Sequence, residues 1–202
     1  MKISLIVFAA TVLSVTSCNS NNQDESAELT NNQAADSSTA NQVFFPVYSY
    51  LKSEIAYVDS LPVGILKYHT AGRKTDSTYI KAEEFHRLAD EFLSPELDES
   101  SFKKNFVESS FFDRSTNKST FFYKARDTGL AVQRVDVVTT KGDVYDEVTS
   151  LYMETKRKEG ERILNKRLFW KPKRNFQIIN INADASPKEK VDVIKVVWDN
   201  RE

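Results

Sequence analysis

The period of the apolar positions changes along the chain. Val47, Leu51, Ile55 and Val58 recur at spacings of three and four, with Tyr50 and Tyr57 beside them. This predicts a helix with one apolar face. Pro46 suits its first turn, and Pro62 and Gly64 end it. Ile65 to His69 reads as a short strand closed by Ala71 and Gly72. Ala82, Phe85, Ala89, Phe92 and Leu93 mark a second helix over 80–93, limited by Pro95. A third is predicted near 99–110, with Asp98 as its cap and Phe102, Phe106 and Val107 inward.

After about residue 119 the period becomes two. Thr120-Phe121-Phe122-Tyr123 starts a strand, and Val132, Val135, Val137 and Val138 follow a turn at Asp127-Thr128-Gly129. Lys141-Gly142 turns the chain again. Residues 144–156 alternate, with Tyr145, Glu147, Thr149, Leu151 and Met153 on one face. Lys158-Glu159-Gly160 is the next turn. Leu164, Leu168 and Trp170 belong to another strand, which Pro172 breaks. Phe176, Ile178 and Ile179 lie in the next, and Val191 to Trp198 form the last. Short loops between successive strands imply antiparallel hairpins. Helices first and strands second imply α+β. The expectation is N-terminal helices packed on one face of a curved antiparallel sheet of five or six hairpin-connected strands, all within 43–202.

The first 42 residues follow neither pattern. Lys2 precedes an apolar run from Leu5 to Leu13, which is too short for the ~20 residues of a membrane-spanning helix. A charged start and a short apolar stretch read as an export signal. The segment ends Val15-Thr16-Ser17-Cys18, which resembles the lipobox of bacterial lipoproteins over these first 18 residues. That resemblance implies cleavage before Cys18, a diacylglycerol on its thiol and acylation of its new amino group. Thr16 departs from the commonest small residues at its position. Cys18 is the chain's one cysteine, so it has no intramolecular disulfide partner. Residues 18–42 are rich in Asn, Gln, Ser and Thr, with no aromatic residue and one Leu. Such a segment buries too little to offset its ordering entropy and reads as a flexible tether. This tether, with the aromatic-rich domain after it, resembles small lipoproteins of Bacteroidota. Asn19 stands where Asp would favour inner-membrane retention. The expected location is therefore the outer membrane, at its periplasmic face or the cell surface.

Charge adds a negative. The chain has 28 bases and 29 acids. Removing Lys2, Asp24, Glu25, Glu28 and Asp36 leaves 27 bases and 25 acids from residue 43 onward. A near-neutral domain lacks the basic excess of a nucleic-acid binder, so no nucleic-acid partner is expected.

Candidate chemistry is sparse. Gly64, Gly72, Gly129, Gly142 and Gly160 are too far apart for a Rossmann, P-loop or nucleophile-elbow motif. With two histidines, His69 and His86, and no thiol beyond Cys18, no metal site and no cofactor are expected. Glu83, His86 and Asp90 share one side of the second helix at acid/base or ligand spacing. A solvated helix face explains them as well. Asp143, Asp146 and Glu147 are too few for a calcium loop and fit a solvated hairpin end. The densest feature is basic. Lys156, Arg157, Lys158, Arg162, Lys166, Arg167, Lys171, Lys173 and Arg174 are interrupted by Glu159 and Glu161 and interleaved with Phe169, Trp170 and Phe176. Of these, Arg162, Lys166, Arg167, Lys171, Lys173 and Arg174 are the candidate binding residues for an anion or partner. A charged hairpin that protects a sheet edge is the plainer explanation. The phenylalanines at 44, 45, 85, 92, 102, 106, 111, 112, 121 and 122 read as core, or else as the lining of an apolar cavity.

These features point away from an enzyme and assign no catalytic residue. The expected function is a lipid-anchored, non-enzymatic binding or assembly module of the cell envelope. Its partner would be another envelope protein, an acidic glycan or a lipid head group. A carrier of a lipid or other hydrophobic ligand is the alternative, and a hydrolase using Glu83, His86 or Asp90 comes third.

Overall fold

The computed structural model describes residues 44–143, 145–160, 162–183 and 190–199. The expected signal, lipidated Cys18 and tether lie outside the described residues. The chain from Phe44 opens with helix α1 (Val47–Asp59), then strands β1 (Ile65–Ala71) and β2 (Lys74–Ile80). Helix α2 (Ala82–Ala89), two short 3-10 turns (Asp90–Phe92 and Pro95–Leu97) and helix α3 (Glu99–Asn105) follow. Seven strands complete the fold: β3 (Phe106–Asp113), β4 (Lys118–Ala125), β5 (Val132–Thr140), β6 (Glu147–Glu159), β7 (Arg162–Lys171), β8 (Asn175–Ala183) and β9 (Lys190–Val197).

The class is α+β and the sheet is antiparallel, but the sheet holds nine strands rather than five or six. Its order is β2-β1-β9-β8-β7-β6-β5-β4-β3. Strands β3 to β9 form a continuous meander, as short connections between period-two segments require. Strand β1 then pairs with β9, its Leu66 opposite Val197 and its His69 opposite Ile194. Residues 81–105 therefore carry the chain from one edge of the sheet to the other. The helices are not all N-terminal to the sheet either, because the β1–β2 hairpin separates α1 from α2.

Two strands were hidden in the sequence. All of β2 from Lys74 to Tyr79 is exposed, so no apolar alternation marks it. It is an edge strand, held by backbone pairing to β1. Strand β3 occupies what reads as the end of the third helix. Phe102 and Phe106 are four apart, which imitates a helical stripe. The helix instead stops at Asn105, and Phe106 is extended at φ −120°, ψ 158°. Val107, expected inward, is exposed. The second helix likewise ends at Ala89 and passes into 3-10 geometry.

The core lies between the helical segments and one face of the sheet. On α1 the stripe Val47, Leu51, Ile55 and Val58 is buried as its spacing predicts. Glu83 and Glu84 in the first turn of α2, and His86 and Arg87 in its last, suit the helix dipole. Strand β5 buries alternate residues Val135, Val137 and Thr139. Aromatic rings join the layers. Phe92 meets Trp170 at 5.1 Å and Phe176 at 5.3 Å, Phe85 meets Phe176 at 5.9 Å, and Phe102 meets Tyr123 at 4.8 Å. Trp170, Phe176, Phe85, Phe92, Phe102 and Phe106 are at most 1% exposed. Gly72 and Gly160 take φ +63° in the β1–β2 and β6–β7 turns, a conformation that costs glycine nothing.

Candidate functional site

Among the described residues, the opposite face of the sheet has no helix ring packed on it, and it shows a different chemistry. Pairing places one row of side chains across it. Phe122 faces Asp136, Asp136 faces Tyr152, Tyr152 faces Phe169, and Phe169 faces Gln177. The row continues through Lys195 and Tyr68 to Ser77. Neighbouring strands are about 4.8 Å apart, so Phe169 and Tyr68 flank Gln177 and Lys195 at close range. The Tyr152 and Phe169 rings meet at 4.7 Å, tilted by 43°. Arg134 holds Asp136 through two hydrogen bonds of 2.7 Å and lies over the rings of Phe122 and Tyr152 at 5.6 and 6.0 Å. The Asp136 hydrogen bonds raise the Arg134 pKa further. Burial and the Glu154 carboxylate push the Tyr152 phenol up to about 12.

An open groove of about 640 Å³ occupies the β1–β9–β8 part of this face. Tyr68, Gln177, Asn175 and Lys195 line it, with Lys171 and Arg174 at its rim. Asn175 begins β8 directly opposite Lys171, so the β7–β8 turn delivers the cations and the amides together. Lys173 sits in that turn at φ 60° and donates its backbone N–H to Glu54 at 3.0 Å. On the other side of the same turn, Lys171, Lys173 and Arg174 line a second groove with Asp146 and Glu147.

The six candidate cations thus divide. Lys171 and Arg174 reach the helix-free groove. Arg167 is exposed on that face, across from Glu154. Lys173 belongs to the turn. Lys166 projects to the helix side, where the Glu91 carboxylate accepts two hydrogen bonds from it at 2.7 and 2.8 Å. Arg162 is exposed at the far end of β7. Strand alternation separates what looks continuous in sequence.

The helix cluster does not assemble. His86 pairs with Asp59, the last residue of α1, at 2.9 Å, while Glu83 and Asp90 are exposed. No group of three metal-binding side chains exists among the described residues. His69 shares a hydrogen bond with Asp192, whose other oxygen accepts from Asn180 Nδ2 at 3.1 Å. This links β1, β9 and β8 in one polar chain.

Tyr68, Asn175, Gln177 and Lys195 were not singled out from sequence. Period-two alternation places them on the polar sides of their strands. That β1 joins β9 is a tertiary fact, and only that pairing brings Tyr68 to Lys195. No family model, curated protein or solved structure matches this chain.

Proposed function

We propose that this protein is a lipid-anchored, non-enzymatic binding module of the cell envelope that holds an acidic glycan against the helix-free face of its sheet. The groove between Lys171, Lys195, Gln177 and Tyr68 carries this reading. Lys171 and Lys195 are both exposed and stand on the two sides of the amide pair Asn175 and Gln177. Separated cations suit an extended anion. Amides offer both donors and acceptors to hydroxyl groups, and the rings of Tyr68 and Phe169 offer flat apolar surface to the C–H faces of sugars. Convergent polar groups beside aromatic surface are the usual makeup of a recognition site. The lipobox and the polar segment after it supply the membrane tether in this reading.

A hydrophobic-ligand carrier has less support. The rings that would line its cavity, from Phe85 to Trp170, are packed against one another in the core. A hydrolase based on Glu83, His86 and Asp90 lacks the convergence it needs.

Binding of the full chain to a soluble polyuronate, followed by calorimetry, tests the proposal. Lys171→Glu together with Lys195→Glu is expected to weaken it by roughly tenfold or more, as loss of two charge-assisted contacts implies. Lys103→Glu on α3 is expected to leave it unchanged. Binding that is absent, or that ignores the groove variants, would sink the reading.

A further inference from the structure

Strand β3 is an edge that carries no Lys, Pro or bulge. Edge strands are commonly blunted by Lys, Pro or bulges, because their free backbone groups attract another strand. The opposite edge, β2, carries Lys74 and Asp76. Strand β3 reads Phe106-Val107-Glu108-Ser109-Ser110-Phe111-Phe112-Asp113, with no Lys, no Pro and no register shift against β4. Its Glu108 turns inward, where the Tyr123 hydroxyl bonds to it. Three large apolar side chains are left in solvent: Val107 at 47%, Phe111 at 61% and Phe112 at 50%.

We infer that two copies of this chain join their sheets by antiparallel β3–β3 pairing about a two-fold axis through Ser109. The strand's own pattern selects this occupant. With Ser109 opposite its counterpart, Val107 of each copy faces Phe111 of the other on the helix-free side. Phe106 faces Phe112 on the helix side, and Glu108 faces Ser110. Every exposed apolar residue of the strand gains an apolar partner, and no like charges meet. A slip by one pair toward the N-terminus sets Glu108 against Glu108, which is unfavourable. A slip the other way sets Val107 against Asp113. The two-fold axis is normal to the sheet, so both helix-covered faces lie on one side. The Phe44 ring packs on Phe102 and Tyr123 on that side, so Phe44 of both copies lies on the same face of the dimer.

The test is disulfide trapping in the full chain with Cys18→Ser, which is otherwise free of cysteine. Ser109→Cys is expected to give a covalent dimer under mild oxidation. Ser77→Cys on the β2 edge is expected to stay monomeric. In sedimentation, Phe111→Lys is expected to weaken the dimer roughly tenfold or more, with the circular dichroism of the folded chain unchanged. Three results would each overturn the inference. These are a chain that stays monomeric at every soluble concentration, equal trapping at both edges, and capture of a different protein at Ser109→Cys in place of a second copy.

Discussion

At the scale of single residues, two carboxylates do more for the fold than their neighbours in sequence suggest. Glu54 lies on the buried stripe of α1, between Leu51 and Val58. Its Oε2 accepts from Trp170 Nε1 at 3.2 Å and from the Lys173 backbone at 3.0 Å. It also takes a hydrogen bond from the Tyr50 hydroxyl. One side chain therefore fixes α1 to the β7–β8 turn, beside Lys171 and Arg174 of the groove. Glu54→Ala leaves the buried indole N–H without its acceptor, which costs about 1–3 kcal/mol. The expected result is a lower urea midpoint, with a smaller drop for Glu54→Gln, which keeps an acceptor oxygen. Equal midpoints for wild type and Glu54→Ala would refute this role. Glu96 works in the same way, its two oxygens accepting from the backbone of Ala131 and Val132 at 2.8 and 2.7 Å where β5 begins.

At the scale of elements, the segment from β2 to β3 is built of short helical pieces. Helices α2 and α3 have eight and seven residues, and the two 3-10 turns three each. Isolated helices this short are unstable in water, so tertiary packing must hold them. Phe92 does so from the first 3-10 turn, with Trp170 and Phe176 around its ring. Phe92→Ala is expected to destabilise the protein by about 3–5 kcal/mol, and Phe92→Leu by less, since a filled site leaves a smaller cavity. Thermal or urea unfolding monitored by Trp fluorescence reads both. A Phe92→Ala protein as stable as wild type would show that the crossover is not anchored there. The periodicity of 80–93 made the helix legible. The switch to 3-10 geometry at Asp90 was not, because it depends on where Phe92 must reach.

At the scale of the whole molecule, three phenols that are buried or half-buried set an alkaline limit. Burial, with Glu54 beside Tyr50, raises the pKa of Tyr50. Burial also raises that of Tyr123, with Glu108 adding to it and the Phe45 N–H opposing it. Tyr152 is raised to about 12. The unfolded chain ionises these phenols near pH 10. Each folded value lies above its unfolded one, so the stabilisation is complete below pH 10 and is lost as pH rises through the folded values. Melting temperature is expected to hold up to about pH 10 and then fall. Ultraviolet titration should show Tyr50, Tyr123 and Tyr152 ionising above pH 10. A single transition near pH 10 for all tyrosines, in folded protein, would contradict it.

The apolar pattern determined the mixed class, the antiparallel hairpins and most of the core. Those follow from local rules: a 3.6 period makes one helix face apolar, a period of two does the same for a strand, and buried area rewards both. It also marked the basic residues of β6, β7 and the β7–β8 turn. The tertiary structure decided which of them act together, because alternation sends Lys166 to Glu91 and Lys171 to the groove. It decided that the sheet has nine strands, since β2 buries almost nothing and is held by backbone bonds that leave no trace in side-chain pattern. It decided that β1 lies against β9, which joins residues more than a hundred positions apart and builds the groove from Tyr68 and Lys195. Side-chain chemistry writes burial into the sequence, whereas backbone pairing between distant strands depends on the fold as a whole.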